Sequence, residues 1–161
     1  MALVKEVEMK ISNHALLHKR ILQLKTVSKK VVMCYGSFDL YHIGHVDFLQ
    51  QAKRFGDALI VIVTDEETDG TYIIDKRSRM ILVASHEHVD FVSEGPIIDV
   101  IGLIKPDVVV TTYSSNNPPH TKLPEIAIKI KEYGGKFVTI SKKHNISKSD
   151  IIGKILITQS I

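Results

Sequence analysis

The chain carries a single cysteine and no tryptophan, and aromatic residues make up only 6% of its 161 residues. With Cys34 alone no intrachain disulfide can form, and its neighbours Val31, Val32 and Met33 mark it as a small buried hydrophobe. Neither a disulfide scaffold nor a thiol redox centre is expected. Proline and glycine are scarce, at 5 and 9 residues, and no tract is compositionally biased. That excludes collagen-like repeats and leaves disorder and flexible-linker architecture without support. Long hydrophobic runs are missing too. The longest, 58–63, falls far short of the ~20 residues of a membrane span, and the opening MALVKEVEMK has no apolar core of the signal-peptide kind. A soluble, cytoplasmic protein with no membrane partner is the expectation. Charge of one sign is also lacking, since 21 Lys+Arg face 18 Asp+Glu for a formal +3. The basic residues occur as short doublets (Lys19-Arg20, Lys29-Lys30, Lys142-Lys143) rather than as a stripe. No nucleic-acid partner is therefore expected, whereas a small surplus of this kind suits a small anion. What is present is 44% hydrophobic and 24% charged sequence, enough for one domain with its own core.

Along the chain, helical and strand patterns alternate. After a mixed opening, Ser12 or Asn13 stands where a helix cap belongs, ahead of Leu17, Ile21 and Leu24 at helical spacing, which predicts a helix to about Lys25. The run 31–35 reads as a strand stopping at Gly36, 43–55 as a helix, and the β-branched run 58–63 as a strand buried on both faces. A polar loop over 65–75 leads to a helix at 79–85, a short strand at 89–92 and a helix after Pro96. Lys105-Pro106-Asp107 introduces a strand at 108–112, a Ser/Asn/Pro-rich loop spans 114–121, and a helix at 123–133 is closed by Gly134-Gly135. A last strand at 136–140 and a terminal helix from Ser147 complete the pattern. The fold class predicted is α/β: a single Rossmann-like domain (30–161) with an open, mostly parallel sheet flanked by helices, preceded by an N-terminal helical extension (1–29). In such sheets ligands lie beyond the carboxyl ends of the strands, which directs attention to the loops after Tyr35, Thr112 and Ile140.

The first of these loops reads Gly36-Ser37-Phe38-Asp39-Leu40-Tyr41-His42-Ile43-Gly44-His45. Gly36 permits a tight turn, and the free N–H groups at the start of the following helix form an anion site suited to phosphate. His42 and His45, three apart, can project toward one spot, with Gly44 leaving room for a bulky group against the backbone. Two such donors can stabilise charge that grows on a polyphosphate in a transition state. The competing readings are a metal pair or polar helix caps. A structural zinc site wants four ligands, and no Cys or His cluster completes one, so no protein-held metal is expected.

Together, Tyr35-Gly36-Ser37-Phe38-Asp39-Leu40 and His42-Ile43-Gly44-His45 resemble the HxGH signature of the cytidylyltransferase-like nucleotidyltransferases. The resemblance continues through Phe48-Leu49, Ala52-Lys53, Gly56-Asp57, Thr64-Asp65-Glu66, Val89-Asp90 and Lys105-Pro106-Asp107. It ends in Ile146-Ser147-Lys148-Ser149-Asp150-Ile151-Ile152, similar to the family's second signature, ISTTxII, and so covers about 30–155. It implies that an oxygen of a phosphorylated metabolite attacks the α-phosphate of a nucleoside triphosphate, with Mg2+ accompanying the triphosphate and pyrophosphate leaving. By position, His42 and His45 would be catalytic, Gly36, Ser37, Phe38 and Gly44 would line the nucleotide, and Ser147 and Ser149 would offer hydroxyls and N–H groups to phosphate. Lys142 stands near the family's Arg in the approach to the second signature. Asp39, Lys76, Arg79 and Asp90 are the candidate substrate or phosphate contacts.

The chain departs from the pattern in three places. The loop after the second strand is acidic (Asp65-Glu66-Glu67-Thr68-Asp69-Gly70) where the family carries lysines. Thr111-Thr112-Tyr113-Ser114 replaces a Gly-acid pair, and Lys142-Lys143-His144-Asn145 replaces Arg-Thr-x-Gly. Three functions follow as expectations: transfer of CMP from CTP to a small phosphorylated polyol such as glycerol 3-phosphate, transfer of AMP from ATP to a sugar phosphate of the heptose 1-phosphate type, or nucleotide binding with impaired catalysis. A homodimer is expected from the resemblance.

Overall fold

In a computed structural model of the chain, residues 2–65, 71–113, 123–144 and 146–158 are described. The acidic run 66–70, the loop 114–122 and Asn145 lie outside them. The elements run α1 (Ala2–Lys10), α2 (His14–Thr26), β1 (Val31–Gly36), α3 (Ile43–Lys53), β2 (Ala58–Val63) and α4 (Lys76–Ala84). They continue as β3 (Phe91–Glu94), α5 (Ile97–Ile104), β4 (Val108–Tyr113), α6 (Leu123–Lys131), β5 (Lys136–Ser141) and α7 (Lys148–Thr158). The five strands form one sheet in the order β3-β2-β1-β4-β5, every pairing parallel. Strand order reverses between β1 and β4, and in open parallel sheets the carboxyl ends of such a pair are where ligands bind.

Period-two alternation divides the strand residues between two cores. Val32, Cys34, Leu59, Val61 and Val63 face one side with Phe48, Leu49, Ala52, Met80 and Val83 of α3 and α4. Val31, Met33, Tyr35, Ile60 and Ile62 face the other with Leu17, Ile21, Val100, Ile101, Ile126 and Ile130 of α2, α5 and α6. Both faces are covered, which is why 58–63 is apolar at every position. Leu17 and Ile21 place the N-terminal helix on the same core as the rest of the domain. Among the described residues no helix is long and apolar enough to cross a membrane.

The sequence pattern and the structure differ at three elements. The opening segment, read as mixed, is helix α1, which with Ile11 just beyond it packs Val7 against the α3/α4 core and ties Glu8 to Arg77 at 3.0 Å. Its stability is tertiary, so no local pattern announces it. Helix α4 begins at Lys76 rather than Arg79, because Asp75 accepts the Ser78 amide at 3.0 Å and caps the helix earlier. Strand β3 lies two residues later than the 89–92 run, its register set by Ile60 opposite Phe91 and Val61 opposite Val92. The outer edge of β3 is not left open. Ile11 bridges Val92, the Ser12 amide donates to Val92 O at 2.8 Å, and Ser93 Oγ donates to Ser12 O at 2.7 Å.

Candidate active site

At the carboxyl end of β1 the chain turns through Gly36 to Tyr41 and enters α3. Phe38 and Leu40 take left-handed backbone angles, φ 52° and 48°, which cost non-glycine residues conformational energy and persist where packing enforces them. Two features enforce them here. The Phe38 ring is buried and packs across the open face of Gly36, where an added Cβ would meet it at 3.1 Å. The Asp39 carboxylate, also buried, accepts the amides of Leu40 (3.1 Å), Ile74 (2.9 Å) and Ile73 (3.0 Å) and pairs with Lys148 Nζ at 2.7 Å. Burial opposes its charge, but the Lys148 and backbone hydrogen bonds outweigh that and hold its pKa at about 2.

The two histidines form a reciprocal cap on α3. His42 Nδ1 accepts the Gly44 amide at 3.1 Å, and His45 Nδ1 accepts the His42 amide at 3.2 Å. Their rings stack with centroids 3.9 Å apart, and Tyr41 stacks on His45 at 5.5 Å. Because each Nδ1 accepts a backbone N–H, each neutral ring carries its hydrogen on Nε2. Both basicities are lowered, for His45 to about 3, by burial first, then for His45 by the neighbouring His42, and for both rings by the positive charge of Lys142. At neutral pH the site therefore presents two uncharged Nε2–H donors, neither with a protein partner among the described residues. Gly44 is required by this packing, since a Cβ there would meet the His42 ring at 2.9 Å. The same built Cβ lies 3.5 Å from Ile146 Cγ2, which brings the approach to α7 beside the start of α3.

At the start of α7, Ser147 Oγ donates to Asp150 Oδ2 at 2.6 Å, and Asp150 also accepts the Ser147 amide at 2.8 Å. Ser147 Oγ accepts the Asp150 amide in return at 3.3 Å and so caps the helix, and Ser149 in the first turn is exposed. Two helix N-termini, two neutral imidazoles and the exposed Lys142 therefore converge at the carboxyl side of β1. That set suits an anion that gains charge as it reacts.

The remaining sequence candidates fall elsewhere or are already engaged. Arg79 is buried and binds three loops at once: Ser37 O at 2.6 Å, Ile74 O at 2.9 Å and Asp65 Oδ1 at 2.7 Å, with Tyr72 under its guanidinium at 4.3 Å. It shapes the rim rather than offering a free fork. Lys76, expected as a phosphate cation, is paired with Asp65 at 2.7 Å and Glu94 at 3.1 Å, because the acidic loop that displaced the family's lysines supplies its partner. Asp39, expected among the phosphate contacts, has both oxygens occupied. Asp90, expected among the substrate or phosphate contacts, lies away from the site. It accepts the Leu59 amide at 2.7 Å and pairs with Lys53 at the amino end of the sheet, opposite the site. Lys148, not among the sequence candidates, joins the second signature to Asp39 and to Thr71 O at 2.7 Å; a lone Lys in a helix turn carries no local signal of such a long-range pair.

Residues 33–154 match the family model described as cytidylyltransferase-like. Bifunctional protein HldE of Desulfatibacillum aliphaticivorans is 33% identical over 141 residues, 82% of this chain and 28% of its own length. Bifunctional protein HldE of a Nitratiruptor species is 38% identical over 103 residues, 58% of this chain and 21% of its own length. The chain spans about a quarter of the length of these curated relatives. A solved structure titled lipopolysaccharide core biosynthesis protein, from Thermoplasma volcanium GSS1, is 30% identical and superposes with a TM-score of 0.61, covering 73% of this chain and 100% of that one.

Proposed function

The chain belongs to the cytidylyltransferase-like family, and from that premise we propose that it is a nucleotidyltransferase that moves AMP from ATP to a sugar phosphate of the heptose 1-phosphate type. Similarity to bifunctional HldE proteins and to a lipopolysaccharide core biosynthesis protein supports this reading over transfer of CMP to glycerol 3-phosphate. The observation that carries the chemistry is the stacked pair of neutral imidazoles with free Nε2–H groups at the head of α3.

In the proposed reaction a phosphate oxygen of the acceptor attacks the α-phosphorus of the triphosphate. A phosphorus–oxygen bond forms, the bond to the oxygen bridging α- and β-phosphates breaks, and pyrophosphate departs with the electron pair. His42 and His45 donate from Nε2 to oxygens on which negative charge grows, without any change in their own charge. Gly36, Ser37 and Phe38 lay backbone along the nucleotide, and Gly44 lets phosphate approach the first turn of α3. Lys142 and Ser149, both exposed beside the start of α7, hold the triphosphate from the other side. Among the described residues no three His, Cys, Asp or Glu side chains form a metal cluster. A Mg2+ accompanying the triphosphate would supply positive charge to neutralise the departing pyrophosphate. The same proposal places the protein in the cytoplasm as a homodimer, as the family resemblance implies.

Pyrophosphate release with ATP and a sugar 1-phosphate, measured beside CTP and glycerol 3-phosphate, tests the reading. Faster turnover of the first pair is expected. Turnover of the second pair alone would restore cytidylyl transfer. Nucleotide binding without pyrophosphate release from either pair would leave a binding protein.

A further inference from the structure

The surplus of +3 noted in the sequence is not spent at the catalytic end alone. At the opposite, amino-terminal end of the sheet a cleft of about 450 Å³ is lined by Lys25, Lys30, Lys105, Lys136, Asp107 and Tyr133 together with the Gly134-Gly135 turn. Four ammonium groups against one carboxylate match the entire formal excess of the chain. The carboxylate is partly committed, because Asp107 Oδ2 accepts the Val31 amide at 2.7 Å. Lys25 is committed as well, donating to Ile104 O at 3.1 Å and Lys105 O at 2.6 Å, which fixes the turn where Lys105 takes a left-handed φ of 44°. Lys30, Lys105 and Lys136 are exposed, and among the described residues none is in an ion pair. Unpaired like charges gathered in one concavity repel one another and focus a positive potential there.

A second observation points the same way. The Tyr133 hydroxyl is buried and has no hydrogen-bond partner, although buried polar atoms are ordinarily satisfied. Its ring lies across Gly135, where an added Cβ would meet Cε2 at 2.7 Å, so the ring cannot shift inward. The backbone amides around it are already used: Gly134 to Lys131 O, Gly135 to Ile130 O and Lys136 to Asp107 O. What remains are four donors, one hydroxyl and three ammonium groups, beside a single acceptor, the second oxygen of Asp107, whose charge the lysines outnumber.

We propose that this cleft is a binding site for a small multiply charged phosphate compound, separate from the nucleotide site and at the other end of the sheet. The anion would be held by Lys30, Lys105 and Lys136, with the Tyr133 hydroxyl donating to it. Bound there, it links the turns before β1, β4 and β5 to the end of α2 and stabilises the folded chain by mass action.

Residue-resolved amide shifts during titration with inorganic pyrophosphate at constant ionic strength test this, because the two sites report through different residues. The expected result is a saturating shift at Gly134, Gly135 and Lys136, in addition to any at Gly36 to His45. In Lys30→Ala/Lys136→Ala the cleft affinity should fall at least tenfold while the shifts at Gly36 to His45 persist. Tyr133→Phe, which removes only the orphan hydroxyl, should keep or raise the melting midpoint without ligand and weaken pyrophosphate at the cleft several-fold. Shifts in the cleft that grow linearly without saturating, or that survive the double lysine variant, would overturn the proposal and leave ionic screening only. A repeat with AMP tells a free inorganic anion from an organic phosphate as the better occupant. Failure at the cleft leaves the nucleotidyltransferase reading untouched, since that is read at the opposite end of the sheet.

Discussion

His42 and His45 serve two ends with opposite sides of each ring. Nδ1 closes the helix cap by accepting an amide, and that acceptance fixes the hydrogen on Nε2, where phosphate would meet it. The helix-cap and catalytic readings that compete for this spacing in the sequence are therefore compatible. His42→Ala and His45→Ala should each lower turnover on the order of 10²-fold with the fold retained, as read by kcat and circular dichroism. Near-normal turnover in both would remove the imidazoles from the mechanism. Gly44→Ala adds one methyl group, yet its Cβ would sit 2.9 Å from the His42 ring and force that ring off its cap. Its kcat should fall to the level of His42→Ala, and a kcat within twofold of wild type would show that the ring position is not critical. The HxGH spacing was legible in the sequence because glycine and histidine each had a local reason to be there. Arg79 and Asp39 were legible only as polar residues near the site, since their bonds run to Ser37, Ile73, Ile74 and Lys148, distant in sequence.

Among the elements, the strands declared themselves best. β1, β2 and β4 are apolar runs with turn residues before or after them, and double-sided burial demands that composition. α1 did not, because its packing against α4 and the pairing of Glu8 with Arg77 are tertiary. α7 has no buried residue, so its placement depends on a few specific contacts. Lys148 supplies two of them, to Asp39 at 2.7 Å and Thr71 O at 2.7 Å. Lys148→Met should therefore loosen the start of α7 and raise the KM for the triphosphate several-fold while kcat changes little, with faster amide exchange confined to α7 and the 71–74 segment. Unchanged exchange at α7 would mean that Ile146 and the Ser147 cap hold the helix without the lysine. Truncating the other partner is costlier. Asp39→Ala leaves Lys148 and three amides without their acceptor and should cost about 3 kcal/mol in denaturant unfolding, whereas an exposed carboxylate would cost under about 0.5 kcal/mol.

For the whole molecule, the parallel order β3-β2-β1-β4-β5 gathers the conformationally costly loop, the capped histidines and the buried Asp39 at one end, and these groups shape the response to acid. The sign follows from where each proton binds. Burial lowers the pKa of folded His45 from 6.5 to about 3, so between those values the unfolded chain binds a proton that the folded chain refuses. Stability from this residue is complete above about pH 6.5 and is lost as pH falls toward 3. Asp39 acts lower down: with its folded pKa held at about 2 against 3.8, its contribution is present above 3.8 and disappears as pH falls toward 2. His42 and His86, both lowered with burial as the leading cause, add to the first window with the same sign. A variant that keeps the cap but cannot titrate separates His45 from the rest. His45→Gln retains a side-chain oxygen for the His42 amide, as glutamine does at this position of an ordinary capping box. Between pH 6 and 4, wild type should lose about 1.4 kcal/mol more stability per pH unit than His45→Gln, measured by urea unfolding at fixed ionic strength. Parallel stability curves for the two proteins would mean that His45 accepts its proton in the folded state as readily as in the unfolded one, and the neutral-donor mechanism would fall with it.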